Sequence, residues 1–357
     1  MNSNFRLQHY NPGRGISSSE SWEIATQVLR QVLKLDSNPK SFEWPDVTEH
    51  LHNEGVLRYV AYYFLNQNLI PSGFTRDLLK NEVFRGEAEK LSDDHELSRI
   101  FRSAKSRDLK ILVIKGEALA RTMFPIASCR PTSDYDMLIH PNDVTAFQKL
   151  FSDLGYNSGK FAGLDILGQQ TWNCSSGLTR RTYVVDLHWY ITNRRFFRLK
   201  IDQQQIFDDA TEVEMDVGSC WIPSKLHSLL IACIHLGAAD VESPVQLRWL
   251  LDIRLLLEDI ADEEFDQLIV QTRDWQVLDV LMTYCHVTDQ VLGPCRHNKK
   301  FNTMVKQISD LKRRIYKISC DHRWFDLLEY GLRLNGWKAR KDYWKQIKAY
   351  KKYKETV

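Results

Sequence analysis

At Lys110 the hydrophobic pattern changes period, and that change constrains the fold more than any other feature of the chain. Upstream, apolar side chains recur at helical spacing, as in Trp22, Ala25, Val28, Leu29, Val32 and Leu33. Downstream, Ile111-Leu112-Val113-Ile114 is a short β-branched run closed by Lys115-Gly116, the pattern of a buried strand entering a turn. Glu117 to Met123 reads as a short helix limited by Pro125, and Asp136 to Ile139 as a second strand. Pro141-Asn142-Asp143 then caps a helix running through Val144, Phe147, Leu150, Phe151 and Leu154 to Gly155. Residues 156–180 hold several Gly and Ser and read as an irregular hairpin, before a third strand over Thr182–Trp189. Strands and helices mixed over so short a stretch predict a compact α/β unit with a mixed sheet.

Both flanks are helical. Residues 1–15 are polar and turn-rich, Ser17 with Glu20 forms a capping-box pattern, and Trp44-Pro45-Asp46 starts a pair of helices broken at Gly55. Pro71-Ser72-Gly73 is a turn, followed by a long charged helical segment to Arg107. After Trp221-Ile222-Pro223-Ser224 the helical period returns, with one helix carrying His227 and His235, another over Leu247–Leu257, a third around Leu268, and a fourth over 275–292 ended by Gly293-Pro294. The expectation is an α+β chain in three parts: a helical region over 1–108, a mixed-sheet core over 109–220, and a helical region over 221–357 with a basic aromatic tail.

Two carboxylates, Asp134 and Asp136, sit two residues apart where the second strand begins, a spacing that places strand side chains on one side. In isolation the bland alternative is a pair of solvated turn residues. A third acid, Asp186, lies inside the apolar strand VVDLHW, where exposure is hard to arrange. Buried unpaired carboxylates are costly and repel one another, and a divalent cation resolves both difficulties. Magnesium takes carboxylate oxygens together with substrate phosphate oxygens, so the three acids suggest a metal cradle. Arg130 and Ser133 are upstream phosphate contacts, and the Lys115-Gly116 turn offers backbone N–H groups, a helix N-terminus and an ammonium group to phosphate. An ordinary strand-to-helix turn with a surface lysine is the alternative there. His188 shares a strand face with Asp186 and either orients a carboxylate, touches substrate or is structural. Arg248 and Asp252 are one helical turn apart and either pair with each other or face the cleft, Arg248 towards phosphate, with Trp249 beside them to stack on a base. His227 and His235, eight residues apart on one helix, read as packing or hydrogen-bonding residues rather than metal ligands.

Bulk properties narrow the class. Net charge is +2 in 357 residues, so the whole chain carries no polyanion signal. No apolar run approaches the ~20 residues that span a bilayer, and the N-terminus lacks a secretory h-region. The seven cysteines are scattered without a CxxC pair, which fits a reducing cytoplasm.

The segments VIKGEALA, RPTSDYDMLI followed by a helix and Leu154-Gly155-Tyr156, VVDLHW, LHSLLIACIH and LRWLLDI, with FEWPDVTEHLHNEGVLRYVAYYFL upstream, resemble the uncharacterised nucleotidyltransferase family of the DNA polymerase beta-like superfamily. The resemblance covers most of the chain. It implies a small nucleotidyltransferase core framed by helices, with Gly116 in the triphosphate-holding turn, Asp134 and Asp136 as metal ligands, and Asp186 as the assisting acid. The implied activity is transfer of a nucleotidyl group from an NTP, with Mg²⁺ (or Mn²⁺), to a hydroxyl of an unidentified acceptor. A kinase transferring the γ-phosphoryl group through the same site is the nearest alternative. The other is a non-catalytic protein binding nucleic acid or a partner through its helices and basic tail. Two departures stand out: Glu117 follows the glycine where the family commonly has a small residue, and Tyr135 stands between the acids in place of an aliphatic. Glu117 is expected to add negative charge near the phosphates or to supply a metal contact.

Overall fold

The structure is a computed structural model describing residues 19–33, 44–70, 75–158, 168–175, 181–198, 200–215, 218–242, 245–305, 341 and 344. The expected polar leader, Ser17 of the capping box, the turn at 71–73 and the tail apart from Lys341 and Trp344 lie outside the described residues.

Four helices come first: α1 (Ser19–Val32), α2 (Trp44–Asn53), α3 (Leu57–Asn66) and α4 (Arg76–Lys105). Gly55 breaks α2 from α3 in the left-handed region, at φ +71°, a conformation that costs a glycine little. The thirty-residue α4 begins at Thr75, whose hydroxyl accepts from the Leu78 N–H at 3.1 Å, with Asp77 in its first turn and Arg102 and Lys105 in its last.

The α/β unit follows as β1 (Leu112–Val113), α5 (Lys115–Thr122), β2 (Tyr135–Leu138), α6 (Val144–Asp153), β3 (Asn157–Ser158), β4 (Gln169–Ser175), β5 (Thr182–His188), α7 (Arg195–Arg198), α8 (Gln203–Asp208), β6 (Thr211–Met215) and β7 (Gly218–Ile222). The chain then returns to helix in α9 (Lys225–Glu242), α10 (Leu247–Asp259), α11 (Asp262–Asp274), α12 (Leu278–Leu292) and α13 (Asn298–Val305). The strands form one mixed sheet in the order β3-β4-β5-β2-β1-β7-β6. Among the described strands, only the β2–β5 and β1–β7 pairs are parallel. The fold is therefore α+β, a mixed-sheet core flanked by helices. No helix among the described residues is long and apolar enough to cross a membrane.

Alternation along the strands divides the sheet's two faces. Val113, Met137, Val185 and Leu187 point one way and pack with Leu97 and Phe101 of α4 and Phe147 and Phe151 of α6. Leu112, Ile114 and Leu138 point the other way, into a second core shared by Val60 of α3, Leu230 of α9, Leu250 of α10 and Leu281 of α12. Burial of each such side chain is worth roughly 1.5–3 kcal/mol. Between these apolar positions on the second face sit Asp136, Asp186 and His188.

The residues expected to be an irregular hairpin contain a full strand. All seven residues of β4 pair antiparallel with β5. Its outward residues Thr171, Asn173 and Ser175 are polar and exposed, while Gln170 and Trp172 are buried, so no apolar run announces it. The β6–β7 hairpin likewise follows no apolar run, with Thr211, Glu212 and Glu214 of its first strand exposed.

Candidate active site

Parallel pairing of β2 with β5 puts Asp136 directly opposite Asp186, and Leu138 opposite His188. Asp136, Asp186 and His188 therefore share a face, and one donor atom from each lies within 4.8 Å of the others. Lys115 Nζ donates to Asp136 Oδ1 at 2.7 Å, and His188 Nε2 lies 2.8 Å from the same oxygen. Thr171 of β4, opposite Asp186, donates its hydroxyl to Asp186 Oδ1 at 2.6 Å. Burial would raise the Asp136 carboxyl, but the Lys115 charge and the His188 ring outweigh it and hold the group well below the usual carboxylate range.

Asp134 is arranged differently. It lies in the bend before β2 rather than in the strand, so strict alternation with Asp136 does not govern it. Ser133 Oγ donates to its carboxylate at 2.9 Å. Burial and the neighbouring Asp136 charge push its carboxyl above the usual value. It lines the same cavity but stands apart from the compact trio.

That cavity, of about 360 Å³, lies between the acid-bearing sheet face and helices α9 and α10, within the size of small-molecule sites. The N-terminus of α5 opens into it: Lys115 and Gly116 line the wall, and no side chain caps the helix. Lys115 holds a left-handed backbone at φ 54°, uncommon for a non-glycine residue. A Cβ on Gly116 would come within 2.5 Å of Arg130 Nη1 and 3.1 Å of Thr132 Cγ2, so glycine is what admits the guanidinium to this turn.

From the facing wall come His235, Arg248, Trp249 and Asp252. Arg248 forms no ion pair among the described residues, and its Nε has no hydrogen-bond partner there. Burial and the nearby Arg130 charge lower its guanidinium from the ordinary value. The turn between α2 and α3 sets its position. Glu54 accepts from the Leu247 N–H at 2.8 Å through its side chain and from the Arg248 N–H at 3.2 Å through its carbonyl. Gly55 lies against the Arg248 side chain, where a Cβ would be 2.7 Å from Cδ.

The sequence model of the uncharacterised nucleotidyltransferases matches residues 40–293, an interval that contains every residue of this site. The chain belongs to that family. No curated protein matches it. Among solved structures, an antigenic nucleotidyltransferase-like protein from Paracoccidioides brasiliensis is similar at 13% identity and a TM-score of 0.39, covering 56% of this chain and 92% of that chain. A likeness that distant carries no argument about the site.

For this member of the family, three expectations from the sequence change. Glu117 does not line the cavity. Its buried carboxylate is paired with Lys90 of α4 and with Arg121, whose Nε donates at 2.7 Å. Burial would raise it, and those two cations bring it below its ordinary value instead. It adds no unbalanced charge to the turn and offers no free oxygen to an ion there. Arg130, expected to contact phosphate, gives its fork to Asp252, Nε to Oδ1 at 3.1 Å and Nη2 to Oδ2 at 2.7 Å. Asp252 is consequently paired across 122 residues and not with Arg248 one turn away. His235 does not simply pack but lines the cavity, with its pKa pushed down to about 3 by burial and the Lys115 charge, so the ring is neutral at pH 7. His227, by contrast, bonds Gln271 at 3.2 Å and stacks on Trp275. Eight residues on a helix turn the side chain about 80°, which separates the two histidines. Thr132, Gln169, Thr192 and Asn193 also line the cavity. They come from three separate segments, the loop before β2, the start of β4 and the loop after β5, and form no motif that a reading of the sequence could have found.

Proposed function

We propose that the protein is a divalent-metal-dependent nucleotidyltransferase that moves a nucleotidyl group from a nucleoside triphosphate to a hydroxyl of an acceptor. The observation that carries the proposal is Asp136 and Asp186 side by side on parallel neighbouring strands at the floor of a cavity whose opposite wall holds Arg248, which has no ion-pair partner among the described residues. Family membership supports the same reading.

The residues present fit a cation. The Lys115 ammonium already sits on Asp136 Oδ1 as a stand-in positive charge, and a second carboxylate lies within reach. Asp136 and Asp186 would hold the metal, with Asp134 at the cavity edge able to contribute to a second. Bound there, a divalent ion supplies charge neutralisation for the triphosphate and lowers the pKa of the attacking hydroxyl. The chain does the rest. Arg248, Lys115 and the uncapped N-terminus of α5 take the phosphate charge, with the Ser133 hydroxyl beside them. Arg130, locked to Asp252, keeps the loop before β2 fixed to α10 and adds its field to the same wall. Asp186 accepts a hydrogen bond from the acceptor hydroxyl and takes its proton as that oxygen attacks the α-phosphorus in line; the bond from the α-phosphorus to the bridging oxygen breaks, and pyrophosphate leaves towards Lys115 and Arg248. Trp249 offers a ring face for a base.

ATP labelled at the α- or the γ-phosphate, incubated with cell-extract fractions as acceptors, tests the reaction class. Transfer of the α-label supports the proposal. Transfer of the γ-label alone contradicts it and makes the protein a kinase.

A further inference from the structure

We infer that His188 is itself a metal ligand, and that the site is therefore built for a transition-metal dication such as Mn²⁺ in preference to Mg²⁺. The inference rests on the nucleotidyltransferase reading and names the cofactor of that same site.

The compact donor group consists of Asp136, Asp186 and His188, not of the three carboxylates. His188 Nε2 lies 2.8 Å from Asp136 Oδ1. Two donor atoms each about 2.1 Å from one ion and at right angles to each other are about 3 Å apart, so this separation suits a shared ion as well as a hydrogen bond. The ring is 3% exposed and stands on the same strand as Asp186, so it is fixed where it points. Its other nitrogen, Nδ1, is buried without a hydrogen-bond partner among the described residues. No carbonyl or carboxylate among the described residues bonds Nδ1 and fixes the tautomer, and Nε2 is the nitrogen that faces the Asp136 carboxylate. The Lys115 ammonium on the same Asp136 oxygen marks the position as one that accepts a cation.

The chemistry of the donor set gives the preference. Magnesium favours oxygen ligands and keeps several waters, whereas an imidazole nitrogen is a better ligand for first-row transition-metal dications than for Mg²⁺, with Mn²⁺ the weakest binder of that series and so the most stringent probe of the preference. His235 also lines the cavity and is the control for any nitrogen signal.

Mn²⁺ alone is titrated into the full-length protein, free ion is measured by electron paramagnetic resonance, Mg²⁺ is added in competition, and bound Mn²⁺ is examined by electron spin-echo modulation. The expected result is Mn²⁺ affinity about tenfold or more above that of Mg²⁺, with ¹⁴N modulation from a coordinated imidazole. The modulation is lost in His188→Gln and kept in His235→Gln. Should His188→Gln not fold, the wild-type and His235→Gln spectra decide. Bound Mn²⁺ without ¹⁴N modulation, modulation lost in His235→Gln, or equal affinity for the two ions overturns this inference and leaves the nucleotidyltransferase reading standing. Failure to bind either ion overturns both.

Discussion

With Lys115 Nζ at 2.7 Å and His188 Nε2 at 2.8 Å from one oxygen of Asp136, the chain balances this carboxylate with its own groups. Lys115→Met removes the charge and leaves His188, so we expect a loss of about 2 kcal/mol without added metal, less than for a fully buried pair. Thermal melts should show the variant gaining more from Mn²⁺ than wild type does; an unchanged gain would mean Lys115 does not compete for the site. Glu117 tests a different kind of residue. Glu117→Gln leaves Lys90 and Arg121 without their shared partner, a loss of about 3 kcal/mol at pH 7 in urea unfolding. Because its folded pKa lies below the ordinary 4.5, its contribution is complete above that value and is lost as the pH falls through the folded one. The gap between wild type and variant should accordingly narrow in acid, and a gap constant down to pH 3 would contradict the pairing. Asp136 and Asp186 were legible in the sequence because acids inside apolar strands call for an explanation. The Arg130–Asp252 pair was not, since one-turn spacing favours Arg248 as the partner and nothing local reveals a contact 122 residues away.

Among the elements, α10 owes its placement to the α2–α3 turn, through Glu54 and Gly55. Gly55→Ala forces a side chain into the left-handed region at φ +71°, at a cost of about 1–2 kcal/mol. It also pushes against Arg248 Cδ, which has to give way. We expect lower stability together with weaker triphosphate binding by calorimetric titration, although Gly55 is not among the residues lining the cavity. Arg248→Gln should weaken triphosphate binding about tenfold with little change in melting temperature, since among the described residues the native guanidinium has no ion pair to lose and its Nε no hydrogen bond. Loss of stability without loss of affinity would remove Arg248 from the phosphate site. The strands β1, β2 and β5 are readable as short apolar runs, β-branched in β1 and β5 and carried by Met137 and Leu138 in β2. β4 is not, because a strand with one exposed face reads as QQTWNCS, too polar to separate from loop.

At the scale of the molecule, one apolar core joins Val60, Leu112, Leu138, Leu230 and Leu281, drawn from all three of the parts expected from the sequence. We propose that these parts unfold as one unit, and a single calorimetric transition is the expected outcome; three separate transitions would contradict it. The same continuity explains why the family likeness was readable over most of the chain while the cavity was not. Its floor comes from strands the sequence announces, its far wall from α9 and α10, and only packing brings the two together. The most direct measurement is titration of ATP into the wild-type protein and into Asp136→Asn and Asp186→Asn, with and without Mg²⁺ or Mn²⁺. We expect metal-dependent ATP binding in wild type that falls at least about tenfold in either variant. ATP binding that ignores the metal and survives both substitutions would contradict a metal-dependent nucleotidyltransferase site on this sheet.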